Sequence, residues 1–135
     1  MTYAISDIAA IDAEAVTSLK KAGIRTTSRL LETAKDAKGR RLLAEKTGIT
    51  EKAILRWANL SDKMRIKGVG EDYANLLQAA GVETVKELKY RNPARLAKAM
   101  ADANAKRKLV RVLPSEKAVV RWVGDAGKLQ IKISY

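Results

Sequence analysis

The stretch Ile66–Leu88, IKGVGEDYANLLQAAGVETVKEL, decides how the rest of the chain is read. It opens with Gly68 and Gly70 on either side of one apolar residue, Val69. Ala74, Leu77 and Ala80 then recur at near-helical spacing. Gly81 stands where such a helix ends in the left-handed conformation that glycine adopts most readily. Thr84 is placed to cap a second helix, with Val85 and Leu88 facing inward. The spacing predicts two short helices joined by a tight turn and entered through a glycine turn. Glycines there let backbone N–H groups come close to an anion, at the positive end of the helix that follows.

The charge of the chain suggests which anion. It has 27 Lys and Arg against 15 Asp and Glu, a net +12 in 135 residues. Residues 65–135 hold +8 of this and residues 1–64 only +4. Such an excess favours polyanions, nucleic acid ahead of an anionic membrane surface or an acidic protein. Within Lys89–Arg121 ten basic residues face only Asp102 and Glu116. They form either a polyanion-binding face or a solvated helical one.

Other classes are disfavoured. Without histidine or cysteine there is no common general base, thiolate ligand or disulfide. The acidic residues are scattered, with no paired carboxylates for a two-metal nuclease. The expectation is therefore a protein that is not an enzyme and uses no cofactor or metal. Asp7, Asp12 and Glu14 read as helix-start residues rather than a cation site. The N-terminus lacks the basic start of a signal peptide, and no apolar run approaches membrane-spanning length. A cytoplasmic protein is expected, with nucleoid association compatible. With 47% hydrophobic residues, many of them Ala and Leu, the fold class expected is all-α.

The same signature occurs twice. Moved by 58 positions, Ile8, Ile11, Leu19, Ala22, Gly23, Thr26 and Leu30 fall on Ile66, Val69, Leu77, Ala80, Gly81, Thr84 and Leu88. In the first copy Ala10 and Asp12 replace Gly68 and Gly70. Asp12 would repel a phosphate but can cap the helix with its own side chain. The first copy is thus read as structural and the second as the binding one. Further on, TEKAILRW (Thr50–Trp57) matches SEKAVVRW (Ser115–Trp122) at a shift of 65. About seven extra residues therefore lie in the second copy, within Ala101–Leu113. Trp57 and Trp122 sit on apolar stripes and read as core rather than base-stacking platforms. Lys38–Lys46 and Pro93–Ala103 read as connecting helices, the second capped by Asn92 with Pro93 in its first position. The expected organisation is one domain over 1–135, with repeats at 8–64 and 66–129 and a tail at 130–135.

These residues look like the helix-hairpin-helix superfamily. Over roughly residues 5–130 they resemble more closely a bacterial family known as domain of unknown function 4332. The segments TGITEKAILRWANLSDKMRIKGVGEDYANLLQAAGVETVKELKYRNPARLAKAM and LPSEKAVVRWVGDAGKL carry that likeness. It implies an all-helical tandem of helix-hairpin-helix-containing four-helix units packed as one compact domain, and it implies no activity. The superfamily resemblance implies sequence-independent binding of DNA backbone through Ile66, Gly68, Val69 and Gly70. The first copy departs from that pattern at both glycines.

The functional expectation is a non-catalytic module that holds DNA, or RNA, by its phosphates. Gly68, Val69 and Gly70 would supply N–H groups. Arg65, Lys67, Lys89, Arg91, Arg95, Lys106, Arg107, Lys108 and Arg111 would supply charge. Nothing resembles a base-reading helix, so low sequence specificity is expected. The alternative is a protein-interaction or self-assembly module with an acidic partner and no nucleic-acid role.

Overall fold

The computed structural model describes residues 2–135, and among them the fold is all-helical: eight α-helices, one 3₁₀ turn and no strand. A single antiparallel bridge joins Ala4 and Thr26. No helix among the described residues is long and apolar enough to cross a membrane. The chain divides into two compact units, residues 1–62 with 132–135 and residues 63–131.

Unit 1 begins with the 3₁₀ turn Ile5–Asp7 and continues through α1 (Ala13–Lys21), α2 (Thr27–Thr33), α3 (Ala37–Thr47) and α4 (Glu51–Lys63). Its helix starts are set by short polar side chains. Asp12 Oδ1 accepts from the Ala15 N–H at 2.7 Å, Thr26 Oγ1 from Arg29 at 3.1 Å and Asp36 Oδ1 from Gly39 at 2.7 Å. Each such cap satisfies an N–H group that the helix cannot bond, a gain of about 1 kcal/mol. Gly23 and Gly48 end α1 and α3 at φ +87° and +76°, where a side chain would strain the backbone. Leu19, Leu30 and Ile54 are fully buried and form the centre of the core. Trp57 lies among these buried residues, and its Nε1 finds no acceptor among the described residues.

Of the tail expected at 130–135, residues 132–135 are part of this unit. Ile133 is buried, the Ser134 N–H donates to the Lys35 carbonyl at 2.8 Å, and Tyr135 Oη donates to Asn59 Oδ1 at 2.6 Å. Arg40, only 5% exposed, donates to the carbonyls of Ala34 and Ser134, each at 3.0 Å. A guanidinium held by backbone carbonyls in this way replaces its lost hydration.

Unit 2 holds α5 (Glu71–Ala79), α6 (Val85–Leu88), α7 (Pro93–Arg107) and α8 (Glu116–Lys128). α7 packs on α8 and α5, and α6 on α8. Leu76, Leu77, Leu88, Leu96 and Met100 are fully buried between them. Thr84, Asn92 and Ser115 cap α6, α7 and α8 through the N–H groups of Glu87, Arg95 and Ala118. α7 runs four residues beyond the expected Ala103. No glycine or proline stops it there, and it ends when Lys108 turns left-handed at φ 50°. Lys63 opens the unit. It is 2% exposed, and its Nζ donates to the Val82 and Glu83 carbonyls at 3.3 and 3.0 Å.

Candidate nucleic-acid interface

The turn before α5 is anchored by Ile66 and Val69, both buried. The Val69 N–H donates to the Ile66 carbonyl at 3.0 Å, closing a four-residue turn. Gly68, third in that turn, has φ +87°, and Lys67 before it does not share the positive sign. That combination defines a type II turn, whose third residue needs glycine. Gly70 is the N-cap of α5 at φ −89°, ψ −170°, and no side chain caps that helix. Any residue can adopt this backbone, and a Cβ at Gly70 would meet nothing within 4 Å. The two glycines therefore differ: Gly68 is required by the turn, whereas Gly70 leaves space open.

Of the three N–H groups expected to face an anion, that of Val69 is spent inside the turn. Lys67 is exposed beside it. The guanidinium of Arg65 reaches the other end of the unit, donating to the Gln130 carbonyl at 3.0 Å.

The basic run after α7 forms the opposite wall. Asn104 fixes its path by accepting from the Val110 N–H at 2.9 Å and donating to the Val110 carbonyl at 3.1 Å. Tyr73, in the first turn of α5, donates its hydroxyl to the Val112 carbonyl at 2.9 Å. Gly68, Gly70, Lys108 and Arg111 consequently line one open cleft of about 1020 Å³. Glu71 and Asp72 line it too, so its two cations face two carboxylates.

Lys89, Arg91, Arg95, Lys106 and Arg107 do not line this cleft. The Lys89 Nζ lies 4.9 Å from the Tyr90 ring centre, a cation–π contact. An Arg91 guanidinium nitrogen lies 3.7 Å from where a Cβ on Gly81 would sit. Arg95 is exposed in the first turn of α7. Lys106 and Arg107 border a separate depression with Ala79, Ala80 and Asp102.

A second, narrower pocket of about 530 Å³ adjoins the turn, and Gly68, Tyr73 and Val112 belong to both. Lys67, Ser115, Arg121, Trp122 and Asp125 complete the part that can bind. Trp122 is 3% exposed, and its ring centre lies 5.3 Å from that of Tyr73 at a tilt of 49°. Its Nε1 is 3.3 Å from where a Cβ on Gly68 would be. Tyr73, Arg121 and Trp122 are absent from the residues expected at the site. Arg121 stood out only as one charge in a run, and no local signal couples α8 to a turn fifty residues earlier.

These features describe an all-helical protein whose second unit carries a glycine turn facing a basic loop. The family model described as domain of unknown function (DUF4332) matches residues 9–129, and the chain belongs to that family. No curated protein and no solved structure matches the chain.

Proposed function

We propose that this protein is a tandem helix-hairpin-helix module that holds nucleic acid, DNA foremost, by its phosphates and without sequence preference or catalysis. One observation carries the reading. The second copy departs from the first by its two glycines and by its extra basic residues, and both departures line the same cleft: Gly68 and Gly70 on one wall, Lys108 and Arg111 on the other. Unit 2 also holds most of the positive excess, with 15 Lys and Arg against 7 Asp and Glu in residues 63–131. Glu71 and Asp72 confine the contact to the turn and the basic loop, because carboxylates at the mouth of α5 repel a phosphate placed on the helix axis. Lys67 contributes charge from the turn itself.

The test is fluorescence anisotropy of a labelled random-sequence duplex at 50 and 200 mM salt. If about 5 phosphates are neutralised, affinity falls roughly 500-fold between the two. Lys108→Glu with Arg111→Glu, both exposed and with no side-chain bond among the described residues, should abolish binding at the lower salt. Undiminished binding by that variant would remove the cleft from the mechanism.

A further inference from the structure

The narrower pocket asks for a ligand of its own. Trp122 is almost wholly buried, yet among the described residues its indole N–H makes no hydrogen bond. That N–H opens onto the pocket, so an entering acceptor finds a donor it can use without breaking a bond within the protein. Gly68 keeps that donor uncovered: a Cβ would lie 3.3 Å from Nε1, nearer than most such contacts allow. Lys67 and Arg121 line the pocket against one carboxylate, Asp125, leaving a positive excess that the balanced larger cleft lacks. Its volume of about 530 Å³ fits a small ligand rather than a duplex.

We infer that this pocket binds a terminal phosphate, a phosphomonoester whose free oxygens accept from Trp122 Nε1, Lys67 and Arg121. A phosphodiester inside a strand has two non-bridging oxygens and must leave the pocket on both sides. A phosphomonoester has three free oxygens for three donor groups, and only one side to accommodate. The ligand is either the phosphorylated end of a strand or a free nucleoside monophosphate. The inference rests on the reading of unit 2 as the nucleic-acid-binding half.

The experiment follows the two indole N–H resonances in ¹H–¹⁵N spectra, assigned with Trp57→Phe. Three probes are titrated: a short single-stranded oligonucleotide with a 5′-phosphate, the same strand with a 5′-hydroxyl, and a nucleoside monophosphate. The phosphorylated strand should move the Trp122 resonance while that of Trp57 stays fixed, and the hydroxyl strand should leave both in place. Arg121→Gln, an exposed position, should weaken the phosphorylated strand about tenfold and leave the other unchanged. Binding of the phosphorylated strand at least about tenfold tighter than the monophosphate marks a strand end as the ligand; equal or weaker binding marks the free monophosphate. Binding of both strands by anisotropy with a stationary Trp122 resonance, or equal shifts from both, overturns the pocket and leaves the backbone reading standing. Binding of neither strand, with a shift from the monophosphate, overturns the backbone reading and supports the pocket.

Discussion

The two helix entries of this chain, Ile8–Asp12 and Ile66–Gly70, share a turn hydrogen bond and differ at the two positions where glycine stands in the second. The Ile11 N–H donates to Ile8 at 3.1 Å, as that of Val69 does to Ile66 at 3.0 Å. At the far end of α1, the Gly23 and Ile24 N–H groups donate to the Lys20 and Leu19 carbonyls; at the end of α5, those of Gly81 and Val82 donate to Gln78 and Leu77. Both pairs form the same glycine-ended helix stop. Within this common frame the first entry is closed by Asp12, bonded to Ala15, and the second is left uncapped at Gly70. Asp12 against Gly70 therefore separates a sealed helix start from an open one, and the positive φ of Gly68, which Ala10 does not share, separates the two turns.

A second contrast lies just upstream. The Arg25 carbonyl accepts from the backbone N–H of Ile5 at 3.0 Å. Its counterpart 58 positions on, the Glu83 carbonyl, accepts from the side-chain ammonium of Lys63 at 3.0 Å. Lys63 closes α4, so its backbone N–H is already used by the helix, and the side chain takes over. One acceptor position is thus served by two chemically different donors.

The comparison can be broken most forcefully in the cores. Leu19 and Leu77 are counterparts, each fully buried. Leu19→Ala and Leu77→Ala should each cost about 2–5 kcal/mol. Hydrogen exchange followed unit by unit should show each loss centred on its own unit; equal loosening of both by either change would mean that they unfold as one.

A smaller effect is expected at the turn. Gly68→Ala forces a side chain into φ +87°, a cost of about 1–2 kcal/mol in urea melts. Ala10→Gly, at the counterpart position where φ is not positive, should cost less than about 1 kcal/mol. Equal costs would show that the two turns do not differ in their need for glycine.

The smallest change in stability carries the sharpest contrast. Gly70→Asp gives the second entry the cap of the first, at φ −89°, ψ −170° against φ −68°, ψ 162° for Asp12. Thermal melts should show a gain of only a few tenths of a kcal/mol. If the proposed function holds, the same carboxylate should abolish duplex binding in the anisotropy assay. Retained binding would clear Gly70 of any part in it.

The features legible from sequence alone are local. Thr26, Thr84, Asn92, Gly23, Gly48 and Gly81 announce the helix ends because a cap or a left-handed residue acts within four positions of itself. The all-helical class follows from a composition rich in Ala and Leu. What escapes is every pairing across long separations. Nothing near Lys63 or Arg40 in the chain says that a cation will be buried on carbonyls, and nothing near Arg65 points to Gln130. The basic residues of Lys89–Arg121 read as one face, yet α7 and its loop distribute them among separate surroundings. The cleft itself depends on Tyr73 holding Val112, thirty-nine positions away.

The docked segment at 132–135 has a consequence for biosynthesis. A ribosome adds Ser134 only after all of unit 2 has been made, and Arg40 cannot complete its carbonyl contacts before then. Unit 1, translated first, is therefore finished last. During elongation α3 waits with its Arg40 guanidinium short of one of its two carbonyl partners.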